Sequence, residues 1–130
     1  MTTRTEAFDL WLKQLRDPRS QRYRYELQSA SQPNARCCLG HLCHALGVDV
    51  EVRGDYVYYD RCSTGLPEGV AKLLNITQIG KFKEGVEYRN GTYESLAALN
   101  DESDIDLDGI ARIIEEQLEA DNYLPFPEEF

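Results

Sequence analysis

The sequence has no uninterrupted apolar run approaching the roughly 20 residues that a helix needs to cross a bilayer. It does not open on the basic, then apolar, then small-residue succession of a secretory leader. Neither a membrane protein nor a secreted precursor is expected. Histidine is scarce too: His41 and His44 are the only two, and they sit in one short segment beside the cysteines. Ser/His/Asp and Cys/His catalysis need a base brought in from elsewhere in the fold to face the nucleophile. Imidazoles one or two turns along the same helix point parallel to a thiol, not at it. No glycine-rich loop cradles a phosphate, because Gly40, Gly47, Gly54, Gly65 and Gly69 are spaced as turns and packing positions. Cations almost vanish toward the end, where Arg112 is the only one from Glu94 onward.

What is present is an ordinary soluble composition. The 130 residues are 42% hydrophobic and 28% charged, which suits a single folded domain over 1–130 with no linker, repeat or low-complexity stretch. The net charge of −9 is unevenly spread: residues 1–80 carry ten basic and nine acidic side chains, and residues 81–130 carry four basic and fourteen acidic. Such acidity argues against direct nucleic-acid binding, which needs a basic footprint. It permits the opposite, an acidic face that occupies a basic groove on another protein. A solvated, solubilising surface is the plainer use of the same residues. The cysteines, Cys37, Cys38, Cys43 and Cys62, include an adjacent pair and three within seven residues. That is a poor disulfide framework, and buried thiols in a reducing compartment fit better. Asn75-Ile76-Thr77 and Asn90-Gly91-Thr92 are then chance sequons, and Arg53-Gly54-Asp55 reads as a hairpin turn.

Local patterns predict a helix-rich α+β domain with a small antiparallel sheet of hairpins. Thr3 and Glu6 form a capping box, and Phe8, Trp11, Leu12 and Leu15 make one apolar stripe that ends at Asp17-Pro18. Residues 19–36 read as polar and irregular. A second helix is expected from about Arg36 to Leu46, terminated by Gly47. Val48, Val50 and Val52 alternate with Asp49, Glu51 and Arg53, and a Gly54-Asp55 turn pairs Val52 with Val57 and Val50 with Tyr59. Leu66-Pro67 opens a third helix with Leu66, Val70, Leu73 and Leu74 on its stripe. Ile76 to Tyr93 reads as strands around an Asn90-Gly91 turn, and Ser95 to Leu99 as a brief helix ending at Asn100. A last helix starts at the N-cap Asp106 and buries Leu107, Ile110, Ile114 and Leu118. Tyr123, Leu124, Phe126 and Phe130 in the tail are expected to dock on the core or on a partner.

Three stretches carry candidate chemistry. In Cys37-Cys38-Leu39-Gly40-His41-Leu42-Cys43-His44, helical spacing puts Cys37, His41 and His44 on one face, within reach of one metal ion, with Cys62 as a fourth donor. The complementary stripe, Leu39, Leu42, Cys43 and Leu46, is apolar, so the expectation is packing with no metal and no cofactor. Asp101, Asp104, Asp106 and Asp108 lack the central glycine and closing glutamate of a calcium loop, and suit an acidic turn at a helix start. Arg22-Tyr23-Arg24-Tyr25, if extended, places both arginines on one face and both tyrosines on the other. With Arg36 it forms the best small-anion candidate, since guanidinium forks bind phosphate and tyrosine rings stack on bases. The alternative is that Tyr23 and Tyr25 are core residues and the arginines are solvated.

The Cys37 to Cys43 core, Trp11 in the first helix, Leu66-Pro67, Leu96-Ala97-Ala98-Leu99-Asn100-Asp101 and Ile110-Ala111 occur in an order that resembles a family of small bacteriophage and prophage proteins. His41 stands where that family usually has valine, and His44 where an acidic residue is common. The resemblance implies a setting, the cytoplasm of an infected bacterial host, and no activity. Asn100-Asp101, its polar element, is a candidate ligand contact or a backbone-bonding turn. The expectation is a non-enzymatic binding protein that counters a bacterial defence system by sequestering a small nucleotide ligand through Arg22, Arg24, Tyr25, Arg36, Asn100 and Asp101. Inhibition of a host defence protein by nucleic-acid mimicry is the alternative, and a cysteine- or metal-dependent nucleotide enzyme the third reading. Self-association into a homo-oligomer stays open.

Overall fold

The computed structural model describes residues 2–127. Its first helix, α1 (Arg4–Arg16), begins where the capping box predicts: Thr3 Oγ1 accepts from the Glu6 N–H at 3.2 Å, and the Glu6 carboxylate accepts from the Thr3 N–H at 2.9 Å. Phe8, Trp11 and Leu15 are buried, and α1 packs against three other helices. The Trp11 indole N–H donates to the Cys38 carbonyl at 2.8 Å, tying α1 to the second helix.

Residues 19–36, expected to be irregular, contain a short parallel pair, β1 (Gln21–Arg22) with β2 (Ala35–Arg36). That pairing draws Arg36 into a strand, so α2 (Cys38–Ala45) starts two residues later than expected, with Cys37 as its N-cap. Gly47, at φ +68°, follows its end as predicted. Gly40 is essential where α2 crosses the chain at Leu27: a Cβ there would lie 1.8 Å from the Leu27 carbonyl oxygen.

The hairpin β3 (Val50–Arg53) and β4 (Tyr56–Tyr59) has the predicted register, Val52 opposite Val57 and Val50 opposite Tyr59. α3 (Glu68–Leu74) begins one residue after the expected proline, which is its N-cap and makes no side-chain capping bond. The second hairpin, β5 (Lys81–Tyr88) and β6 (Gly91–Ser95), turns at Arg89-Asn90, not Asn90-Gly91. The shift sets buried Val86 opposite Tyr93, at the cost of a positive φ (54°) at Arg89. Ser95 caps α4 (Leu96–Glu102), which runs past Asn100, the expected end. Asp106 caps α5 (Leu107–Glu119), which buries Leu107, Ile110 and Ile114 with Leu118 partly covered, while Asp108, Glu115, Glu116 and Glu119 face water.

The result is a small α+β domain: among the described residues, five helices and three two-stranded sheets, two of them antiparallel hairpins. The tail docks on the core. Tyr123 bridges to Phe82 and its ring lies 5.4 Å from Phe82 and 6.4 Å from Phe8, while Phe126 packs beside Lys72. Phe130 lies outside the described residues. No described helix is long and apolar enough to cross a membrane.

Candidate functional site

Five of the six residues singled out from the sequence meet at the end of α4. Arg22 Nη1 donates to the carbonyls of Ser103, at 3.1 Å, and Ile105, and Arg24 Nη2 donates to Ser103 O at 2.8 Å. The Tyr25 N–H donates to Asp101 Oδ1 at 2.8 Å. Asn100 lies inside the helix and is fully buried; its Oδ1 accepts from the Cys38 N–H (3.0 Å), and its Nδ2 donates to Tyr23 O (2.8 Å) and Asp101 Oδ1 (2.9 Å). These groups serve the fold. Carbonyls beyond the last turn of a helix have no intrahelical donor, and cations there also meet the negative end of the helix dipole. Burial and the neighbouring Arg24 lower the Arg22 pKa, with Asp104 and Asp106 partly offsetting them. The expected separation of faces is absent: Tyr25 is 65% exposed with φ +69°, and Arg22 is partly buried. Asn100-Asp101 bonds to backbone as one expectation held, but from within a helix and not from a turn.

The cysteine helix is packing. Cys37, Cys38 and Cys43 are buried and unpaired, and Cys62 is half-buried. Burial pushes the Cys37 thiol up to about 12, outweighing the hydrogen bond from the Gly40 N–H, and raises the Cys38 thiol well above its ordinary value too. A thiolate nucleophile needs the reverse shift. His41 is committed at both ring nitrogens: Nε2 lies 2.8 Å from Gln21 O, so it carries the proton and donates, leaving Nδ1 to accept from Gln14 Nε2 at 3.2 Å. Among the described residues no group of three His, Cys, Asp or Glu side chains is placed to hold a metal ion.

Arg36, the sixth residue, stands apart. It is 5% exposed, and no carboxylate among the described residues lies within ion-pair distance of it. Its Nε donates to Gln28 Oε1 at 2.9 Å and to the Tyr59 hydroxyl at 3.2 Å, and the Tyr59 hydroxyl donates in turn to Gln28 Oε1. All three side chains are buried. Burial raises the Tyr59 pKa despite the nearby guanidinium, so the phenol is neutral and supplies no counter-charge. The terminal nitrogens of Arg36 make no hydrogen bond to a described residue, yet they are not among the sealed, unsatisfied polar atoms. Arg36 lines a cleft of about 210 Å³ together with Gln14, Asp17, Arg19, Ser20, Asn34 and His44.

The cleft is electrostatically one-sided. Asp17 is already neutralised: Arg19 grips it through Nε–Oδ1 at 3.1 Å and Nη2–Oδ2 at 2.9 Å, which lowers the Asp17 pKa to about 2. Burial, then the charge of Arg36, lowers the pKa of His44. What remains is the Arg36 guanidinium, whose terminal nitrogens have neither a hydrogen-bond partner nor a counter-charge among the described residues. A buried charge without a partner is costly, and an anion that reaches it relieves that cost.

Comparison with family models, curated proteins and solved structures yields no match to this chain. The reading of the cleft therefore stands on its own chemistry. Sequence reasoning included Arg36 as one of several arginines; no local signal distinguishes it, since its isolation depends on Gln28 and Tyr59, the latter 23 residues away.

Proposed function

We propose that the protein is a non-enzymatic binding protein that holds a phosphate-bearing small molecule, of the nucleotide class, by its phosphate at Arg36. The observation that carries this reading is a buried arginine that lines a polar cleft and has no carboxylate among the described residues within ion-pair distance. Planar forked donors suit phosphate oxygens, and Asn34 and His44 add polar groups around them. The cleft admits a phosphate but not a whole nucleotide, so the sugar and base lie outside it. Neither Tyr23 nor Tyr25 lines the cleft, and base stacking on them is not part of the proposal. In the phage setting that the resemblance suggests, such binding would remove a nucleotide signal on which a host defence depends.

Nucleic-acid mimicry draws on Asp108, Glu116 and Glu119, which α5 turns to water. Arg16 is already paired with Glu115 on the same helix and lies 3.9 Å from Asp108 as well, which leaves that face less charged than its sequence suggests.

The test is calorimetry and thermal shift with inorganic phosphate, a 5′-mononucleotide and a cyclic dinucleotide, on the wild-type protein, Arg36→Lys and Arg36→Gln. The expected result is binding of a nucleotide more tightly than phosphate, weakened roughly tenfold or more in Arg36→Lys because the fork is lost, and absent in a folded Arg36→Gln. Binding unchanged in Arg36→Gln, or no response to any of the three ligands, would refute it.

A further inference from the structure

The hairpin leaves β3 as a free edge. Its sheet has two strands only, so nothing pairs with the other side of Val50–Arg53 among the described residues. The two-residue turn decides which backbone groups face out. Arg53 and Tyr56 flank Gly54-Asp55 and exchange hydrogen bonds, the alternation of an antiparallel ladder makes Glu51 and Tyr58 the next bonded pair, and Val50 and Val52 therefore aim their N–H and C=O groups outward. Tyr59, opposite Val50, obeys the same alternation: its N–H donates to Cys62 O at 2.8 Å and its carbonyl accepts from the Cys62 N–H at 2.9 Å, on the side away from β3.

The apolar face of the hairpin is cut at the same boundary. Val57 and Tyr59 on β4 are 1% and 2% exposed, while their cross-strand partners Val52 and Val50 are 60% and 53% exposed. Sheet edges are usually guarded by lysine, proline, a bulge or an inward-pointing charge. β3 is short, at four residues, but has no lysine, proline or bulge, and its two charges, Glu51 and Arg53, lie on the face opposite the valines and are of opposite sign.

We infer that the protein forms a two-fold dimer by antiparallel pairing of β3 with β3 of a second copy, centred on Val52. This register is self-complementary. Val52 meets Val52 through its outward N–H and C=O, and Glu51 of each copy faces Arg53 of the other, exchanging the internal Glu51–Arg53 pair (2.9 Å) for two intermolecular ones. Centring on Glu51 instead would set two carboxylates face to face. The dyad of an antiparallel pair is perpendicular to the sheet, so both domains lie on the same side of the resulting four-stranded sheet. Val50 and Val52 of both copies then fill the cleft between the two bodies, which accounts for their exposure in the single chain. This interface shares no residue with the Arg36 cleft and does not depend on the function proposed for it.

The test is sedimentation and light scattering of the wild-type protein, Glu51→Arg, Arg53→Glu, an equimolar mixture of those two, and the double swap, with circular dichroism to establish folding. Wild type is expected at twice the monomer mass. Each single variant places two like-charged pairs across the interface and weakens the dimer by roughly tenfold or more. Mixing them restores both attractive pairs, so a heterodimer forms, and the double swap dimerises alone. A monomeric wild type, a dimer indifferent to both single variants, or single variants that fail to complement on mixing would overturn the inference.

Discussion

His41 provides a quantitative check on the core. Lowering the pH asks a fully buried imidazole to accept a proton where both nitrogens are already committed. Burial dominates the hydrogen bond to Gln21 O and lowers its pKa from the ordinary 6.5 to about 4. In the unfolded chain the same ring titrates near its ordinary value. Above that value neither state is protonated and the full stability is present. As pH falls through it, the unfolded chain takes up a proton that the fold refuses, so stability is lost, and the loss levels off only below the folded pKa. The difference between the two pKa values is worth roughly 3 kcal/mol. His44, also lowered, adds in the same direction. Asp17, held at about 2 by Arg19, does not contribute until more acid conditions, because its stabilisation persists above the ordinary carboxylate pKa and is lost as pH falls toward its folded one. Urea denaturation at about pH 7 and about pH 4.5 measures the loss, and a histidine-detected NMR titration assigns it. His41→Gln should remove most of the pH dependence in that interval. A stability flat across it, or an equal slope in His41→Gln, would refute the reasoning.

Two substitutions test packing. Tyr123→Phe should stabilise the protein by about 1 kcal/mol, because the Tyr123 hydroxyl is sealed in the core with no partner and its removal ends an unrepaid desolvation cost; a lower urea midpoint in the variant would contradict this. Gly40→Ala should cost roughly 3 kcal/mol or abolish folding, since its methyl would sit 1.8 Å from the Leu27 carbonyl oxygen. Gly69→Ala, in α3 with nothing within 4 Å, should instead gain up to about 1 kcal/mol of helix propensity; thermal unfolding of the pair checks that the contrast arises from the contact and not from helical glycine in general.

Local chemistry was the legible part of this chain. The Thr3–Glu6 box, the Asp106 cap and the Gly54-Asp55 turn each involve residues three or fewer apart, and each forms where the sequence places it. Boundaries moved where a distant partner intervened. α2 lost Arg36 to β2, whose partner β1 lies 14 residues back in the chain, and α4 gained Asn100 because Cys38 and Tyr23, 62 and 77 residues away, use its amide. The second turn shifted by one residue because pairing Val86 with Tyr93 mattered more than placing Gly91 in the loop. The exposure of β3 was equally hidden, since alternation predicts an apolar face but not which strand of the hairpin the body covers. Of the candidate site, the residue types were legible and their division of labour was not.

That division follows from which groups each arginine already meets. An anion approaching Arg22 or Arg24 would have to displace contacts to the Ser103 and Ile105 carbonyls, expose the end of α4, and do so close to Asp104 and Asp106. Each lost bond to a charged donor costs about 1.5–3 kcal/mol, so the gain of a surface phosphate contact would be largely cancelled. At Arg36 no described contact has to be displaced: Nε stays on Gln28 and Tyr59, the terminal nitrogens bond to no described residue, and Asp17, the carboxylate among the residues lining the cleft, is already held by Arg19. Arg36 is thus a buried guanidinium, without a counter-charge among the described residues, at which an anion would add an interaction instead of replacing one, and a low-dielectric setting would make that interaction stronger than the same contact at the surface.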